Sequence, residues 1–247
     1  MNSLFLAWQD DTSRAWFPVG RLTYDGLFYR FAYVQGAREA AAKAGFQPIY
    51  SFPDFEQVYS SSKLFPLFAN RLLRPSRPDY ADFVQWLNLP GENDPLALLA
   101  RSGGNRKTDT FEVFPCPERD EQGQYQLHFF AHGLRYVPPE TVEHLEGLPV
   151  GQELWMSHEF QNPYDPEALA LKTPDQYNLG YCPRYLVSEV KRLREAGQKI
   201  LVTVERVNAP PTPLQFRILC RLTADWPEGF EPFSGESYQL LVNQIAA

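Results

Sequence analysis

The sequence predicts an α+β chain, with a mixed α/β N-terminal domain followed by a small OB-like β-barrel that carries one embedded helix. Three observations predict it. Apolar residues make up 44% and aromatic residues 15% of the 247 positions, enough for packed cores. Up to residue 116 the apolar spacing switches between period two and helical spacing. From 124 to 223 it reads as short alternating strands around a single helical stretch. Between these regions CPERDEQGQ (116–124) is polar and linker-like, so the expected division is 1–116, a linker at 117–125, and a barrel domain with a C-terminal extension at 126–247.

In the first region SLFLAW (3–8) alternates as a strand. VGRLTYDGLFYRFAYV (19–34) reads as two strands joined at Asp25-Gly26, a hairpin signal. The alanine-rich 37–45 predicts a helix stopped by Gly45. Residues 63–73 place Leu64, Leu67, Phe68 and Leu72 on one helical stripe, and 78–89 continues with Phe83, Trp86 and Leu87. In 93–104 Asp94 is an N-cap, Pro95 the first helical residue and Gly103 the stop. FEVFP (111–115) closes the region as a strand.

In the second region Tyr125, Leu127 and Phe129 alternate within 124–133, and 149–159 is the next strand. EALALKT follows an elbow, and TPDQYNLG turns the chain into NLGYCP. Pro183 opens a helix, with Leu186, Val187, Val190 and Leu193 on one face and Gly197 at its end. Ile200, Val202 and Val204 form one strand, and Leu214 through Leu222 alternate as the last long one.

Composition narrows the function classes. Residues 1–116 hold 12 basic and 12 acidic residues, while the remainder holds 11 and 18 and so carries the whole net charge of −7. A broad basic face for duplex DNA does not fit that distribution. Three cysteines without CxxC spacing suit a reducing, cytoplasmic compartment, and neither a zinc site nor a disulfide framework is expected. His128, His132, His144 and His158 show no metal-ligand spacing. No apolar run reaches the roughly 20 residues of a membrane span, and the N-terminus reads as a strand and not a signal. GxSxG, a P-loop and a metal cluster are all missing, so no enzyme and no cofactor is expected. Gly103-Gly104 with Arg106 and Lys107 follow a helix where an anion cradle needs to precede one, so they read as a helix stop.

The stretch with most chemical content is HEFQNPYDPEALAL (158–171). Pro163 and Pro166 stiffen an elbow that holds Asn162, Tyr164 and Asp165 just before a strand. Two readings are open for it: a turn satisfied by its own carboxylate around a half-buried ring, or part of a ligand site. The second needs a converging aromatic and cation. HGLRYVPPE (132–140) supplies Arg135 and Tyr136, suited to a phosphate and a base of single-stranded nucleic acid.

The order of Gly133-Leu-Arg-Tyr, Asn162-Pro-Tyr-Asp-Pro and Leu179-Gly-Tyr-Cys-Pro resembles the HIRAN domain over about 128–223. That resemblance implies an OB-like barrel that binds the 3′ end of single-stranded DNA, or of RNA, without catalysis. It implies Arg135 on a phosphate, Tyr136 on a base, and Tyr164 and Asp165 on the terminal sugar, with Asp165 accepting from the 3′-hydroxyl. Asn162 belongs to the same motif. Tyr181 stands where the family often has a histidine. Arg184, Lys191, Arg192 and Arg194 read as a solvated helix face.

Residues 3–115 also resemble the N-terminal subdomain of HipA-type kinases, on Gly20, Phe31, Tyr33, Ser51, Pro53, Tyr59 and the 65–73 run. The kinase body is missing downstream. This resemblance implies a bacterial protein-interaction or antitoxin-like role, with a HipA-type kinase as partner.

Overall fold

The computed structural model describes residues 3–138, 141–142, 145–162 and 165–242. The chain forms two compact units. One comprises the residues up to 80, 92–116 and from 231 on, and the other comprises 81–91 and 117–230.

The first unit is built on an antiparallel sheet in the order β4-β3-β2-β1-β5. Its strands are β1 (Ser3–Gln9), β2 (Trp16–Tyr24), β3 (Tyr29–Tyr33), β4 (Tyr59–Ser61) and β5 (Phe111–Pro115). The β2–β3 turn forms because the Asp25 carboxylate accepts from the amides of Leu27 and Phe28 at 2.8 and 2.7 Å and pairs with Arg30. Leu4, Leu6, Val19, Leu22, Phe31 and Val113 pack on one face of the sheet under α1 (Gln35–Ala44), which buries Ala37 and Ala40 and ends at a left-handed Gly45. The short edge strand β4, drawn from a serine-rich stretch, has no counterpart in the apolar pattern.

The 63–73 stripe does not make one long helix. Pro66 pushes Phe65 to an extended ψ of 144°, and α2 runs only over Pro66–Ala69. Beyond it Arg71 turns inward, donates to the Gly104 carbonyl at 2.9 Å and pairs with Asp109 at 2.8 Å. The 103–110 loop is therefore wrapped around a buried guanidinium. It follows α4 (Pro95–Ser102), which Asp94 caps as expected by accepting from Leu96 N at 3.0 Å.

The second unit is a curled sheet in the order β6-β11-β10-β7-β8-β9. The strands are β6 (Gln124–Phe130), β7 (Glu153–His158), β8 (Leu169–Lys172), β9 (Asn178–Tyr181), β10 (Leu201–Val207) and β11 (Ile218–Asp225). All neighbours pair antiparallel. The curl brings the two edges together at one residue pair, where His132 and Tyr181 exchange both backbone hydrogen bonds at 2.9 Å. This half-barrel, with α5 (Arg184–Glu195) burying Leu186, Val190 and Leu193, agrees with the expected barrel and embedded helix. Leu214 and Phe216, expected in the last strand, lie instead in a 3₁₀ turn before β11.

The two units do not follow a single cut at 117–125. Helix α3 (Tyr80–Trp86) belongs with the second unit from residue 81 on. Phe83 and Trp86 lie 6.0 and 6.4 Å from Phe216, and the buried Asn208 amide donates to the Trp86 and Phe216 carbonyls at 2.9 and 2.6 Å. The C-terminal segment belongs with the first. Phe233 and Tyr238 cover Phe5 and Phe114 on the second face of the five-stranded sheet, and Leu240 bridges to Val34. Each segment goes where its aromatic residues find cover.

Candidate functional site

The HGLRY segment leaves β6 through Gly133, whose φ of +75° opens the 3₁₀ turn Leu134–Tyr136. A Cβ at residue 133 would stand 2.9 Å from Tyr181 Cδ2, so the turn sits directly on the Tyr181 ring. Leu134 is buried and anchors the turn, which leaves its two neighbours outside. Tyr136 is 70% exposed, and the Arg135 guanidinium lies 4.7 Å from the centre of its ring.

The elbow closes on itself. Glu159 N donates to the Ala168 carbonyl at 2.9 Å, Asn162 N to the Glu159 carbonyl at 3.0 Å, and Ala168 N to the Asp165 carbonyl at 3.0 Å. The Asn162 side chain accepts from Asp165 N at 3.1 Å, and Asp165 Oδ1 accepts from Glu167 N at 3.0 Å. Asp165 Oδ2 faces Arg184 Nε at 3.2 Å, and the same guanidinium donates to Glu167 Oε2 at 2.6 Å. That bond, with the charge of Arg184, holds Glu167 below the usual carboxylate range. Pro163 and Tyr164 lie outside the described residues, so the expected sugar contact of Tyr164 has no geometry here.

Tyr181 joins the two segments. Its hydroxyl donates to Glu159 Oε2 at 3.0 Å, and the Asn162 amide reaches the same oxygen at 3.4 Å. Burial first, then Glu159, holds this phenol above its ordinary value. Arg135 and Tyr136 thus meet Tyr181 through Gly133, Tyr181 meets Asn162 through Glu159, and Asn162 meets Asp165.

Two members of this cluster were not placed in the site by the sequence. Glu159 is 22 positions from its Tyr181 partner, and no local pattern links them. Arg184, read as part of a solvated helix face, is instead bound to two carboxylates of the elbow. One signal was available: a cation in the first turn of a helix opposes the helix dipole, which suggests another partner. Arg192, read the same way, lies over Phe230 at 4.7 Å and pairs with the buried Glu189 at 2.7 Å. Its stem and charge are occupied within the fold.

Chemically the cluster offers a cation resting on an exposed ring, and in the elbow linked to it through Tyr181, Glu159 and Asn162 a carboxylate whose oxygens each keep a lone pair after one bond. Such a set accepts hydroxyl protons, stacks a planar ring and holds a phosphate. Cys182 and Cys220 are buried, and burial pushes the Cys220 thiol up to about 12, which removes it from nucleophilic roles.

The HIRAN domain family matches residues 124–226, somewhat less than half of the chain. Among solved structures, a protein from Lactobacillus plantarum is 25% identical over 41% of this chain and 97% of its own, with a TM-score of 0.32. The HIRAN domain of human HLTF is 14% identical over 46% of this chain and 98% of its own, with a TM-score of 0.31. No curated protein matches the chain.

Proposed function

Residues 124–226 form a HIRAN domain, and from that premise we propose that the chain binds single-stranded DNA at a free 3′ end, without catalysis. The observation that carries the reading is the exposed Tyr136 ring under the Arg135 guanidinium, set against Tyr181 at the junction with the Asp165 elbow. Arg135 takes a phosphate and Tyr136 a base. Asp165 accepts from the terminal hydroxyl through a lone pair left by Arg184 and Glu167 N, and Tyr164 contributes to the sugar.

A carboxylate repels a phosphate, so Asp165 favours an end over a continuing strand. Arg184 offsets part of that repulsion, and Arg135 supplies the cation for the last phosphodiester. With two to three phosphates neutralised, the slope of log affinity on log salt is about −1.5 to −2. The test is fluorescence anisotropy with matched oligonucleotides ending in a 3′-hydroxyl or a 3′-phosphate. The wild-type chain is expected to prefer the hydroxyl, and Asp165→Ala to lose that preference. Equal binding of the two ends, or no binding, overturns the reading.

A second reading rests on a different observation. The β2–β3 hairpin exposes Leu27 (73%) and Phe28 (43%) in the N-terminal unit. In this reading residues 1–116 dock a protein such as a HipA-type kinase, and the barrel is accessory. Co-purification of such a kinase, lost in Leu27→Ser/Phe28→Ser, supports it. Retention in that variant removes it.

A further inference from the structure

The face that carries Tyr181 continues away from the elbow. Residues opposite one another in an antiparallel pair point to the same side, as do residues two apart along a strand. Trp155 on β7 is opposite Lys172 on β8, and Lys172 is opposite Asn178 on β9. The next row is Ser157, Ala170 and Tyr181. Leu154, Leu169, Leu171 and Leu179 fill the other side of these strands and are buried. Trp155, Lys172 and Asn178 therefore stand on the outer face, in the row next to that of Tyr181, whose own row carries only small side chains from β7 and β8, the buried Ala170 among them. On β7 and β8 two strand residues separate the rows by about 7 Å, while β9 spans them with three residues across a register shift, a spacing within reach of the next nucleotide of an extended strand.

Trp155 is 49% exposed in the middle of a paired strand, where a large indole has no packing reason to face water. Beside it Lys172 makes no ion pair among the described residues. An indole face with an uncommitted ammonium directly opposite complements a base and its phosphate.

We propose that Trp155 and Lys172 form a second nucleotide subsite, in which Trp155 stacks a base 5′ of the terminal nucleotide and Lys172 holds its phosphate. The proposal rests on the end-binding reading and adds a direction to it: the strand runs from the Asp165 elbow over Tyr181 to Trp155. Glu153, exposed and two residues further along the same face, ends the track by repelling the phosphate beyond. The footprint is short, and affinity stops rising once an oligonucleotide reaches Trp155.

The experiment compares a deoxynucleoside 5′-monophosphate with a deoxyoctanucleotide, both with a free 3′-hydroxyl, by competition anisotropy on the full chain. The octanucleotide is expected to bind tighter in the wild type. In Trp155→Ala its affinity drops by about fivefold to a hundredfold, towards that of the mononucleotide, and Trp155→Phe recovers part of it. Lys172→Ala is expected to flatten the salt slope for the octanucleotide by about 0.7, while Lys172→Arg leaves it unchanged. Wild-type octanucleotide affinity in both folded alanine variants overturns the second subsite and leaves the end-binding reading standing. If the wild type binds neither the mononucleotide nor the octanucleotide, both fall together.

Discussion

Two glycines set the geometry of the candidate site. Gly180 has a φ of +104°, and a Cβ there would stand 2.4 Å from the His132 carbonyl oxygen. That oxygen accepts from Tyr181 N and so closes the curled sheet. Any side chain at 180 is strained twice, by the backbone angle and by contact with backbone that cannot retreat. Gly180→Ala is expected to cost about 2–4 kcal/mol in urea unfolding. It should also weaken oligonucleotide binding, because Tyr181 carries both halves of the site. A variant within about 0.5 kcal/mol of the wild type would mean that the closing pair contributes little. Gly133 works by contact distance as well as angle, since only its missing Cβ lets the Arg135–Tyr136 turn rest on the Tyr181 ring.

Among the elements, the β2–β3 hairpin has the most distinct pH signature. The amides of Phe28 and Leu27, with Arg30 after them, hold the Asp25 carboxyl well below its ordinary value, at about 2. A depressed carboxyl stabilises the fold above its unfolded value and loses that contribution as it protonates. The turn is therefore expected to loosen as pH falls from about 4 towards 2. Amide exchange at Leu27 and Phe28 should lose protection over that window, and Asp25→Ala should remove the pH dependence. Protection that persists unchanged to pH 2 would show that the strands alone hold the turn. The same loop logic explains α2, where Pro66 and the inward Arg71 cut a regular apolar stripe to one helical turn.

For the whole molecule the decisive fact is that the chain changes units at 80/81, 91/92, 116/117 and 230/231. Excising either sequence half removes a piece of the other's core. A fragment of 117–242 loses Phe83 and Trp86 from Phe216 and leaves Asn208 short of one acceptor. It is expected to melt well below the full chain or to aggregate, whereas 81–91 joined to 117–230 by a flexible linker should restore the melting temperature. A 117–242 fragment as stable as the joined form would show α3 to be dispensable. Truncation after 230 should expose Phe5 and Phe114 in the first unit and lower its unfolding midpoint.

The sequence by itself determined what is local and periodic. Asp94 with Pro95 and Gly103 marked α4, Asp25-Gly26 marked the hairpin, and the stripe of Leu186, Val190 and Leu193 marked α5. The three motifs at 133–136, 162–166 and 179–183 carried the resemblance to the HIRAN family, which matches residues 124–226. Only the tertiary structure decided partnership. It brought Glu159 to Tyr181 and Arg184 to Asp165, joined β6 to β9 through His132, and placed 81–91 and 231–242 in units other than those of their sequence neighbours. The physical reason is that a period of 2 or 3.6 states which side of an element is apolar, whereas the surface that covers it is chosen by contacts between distant residues.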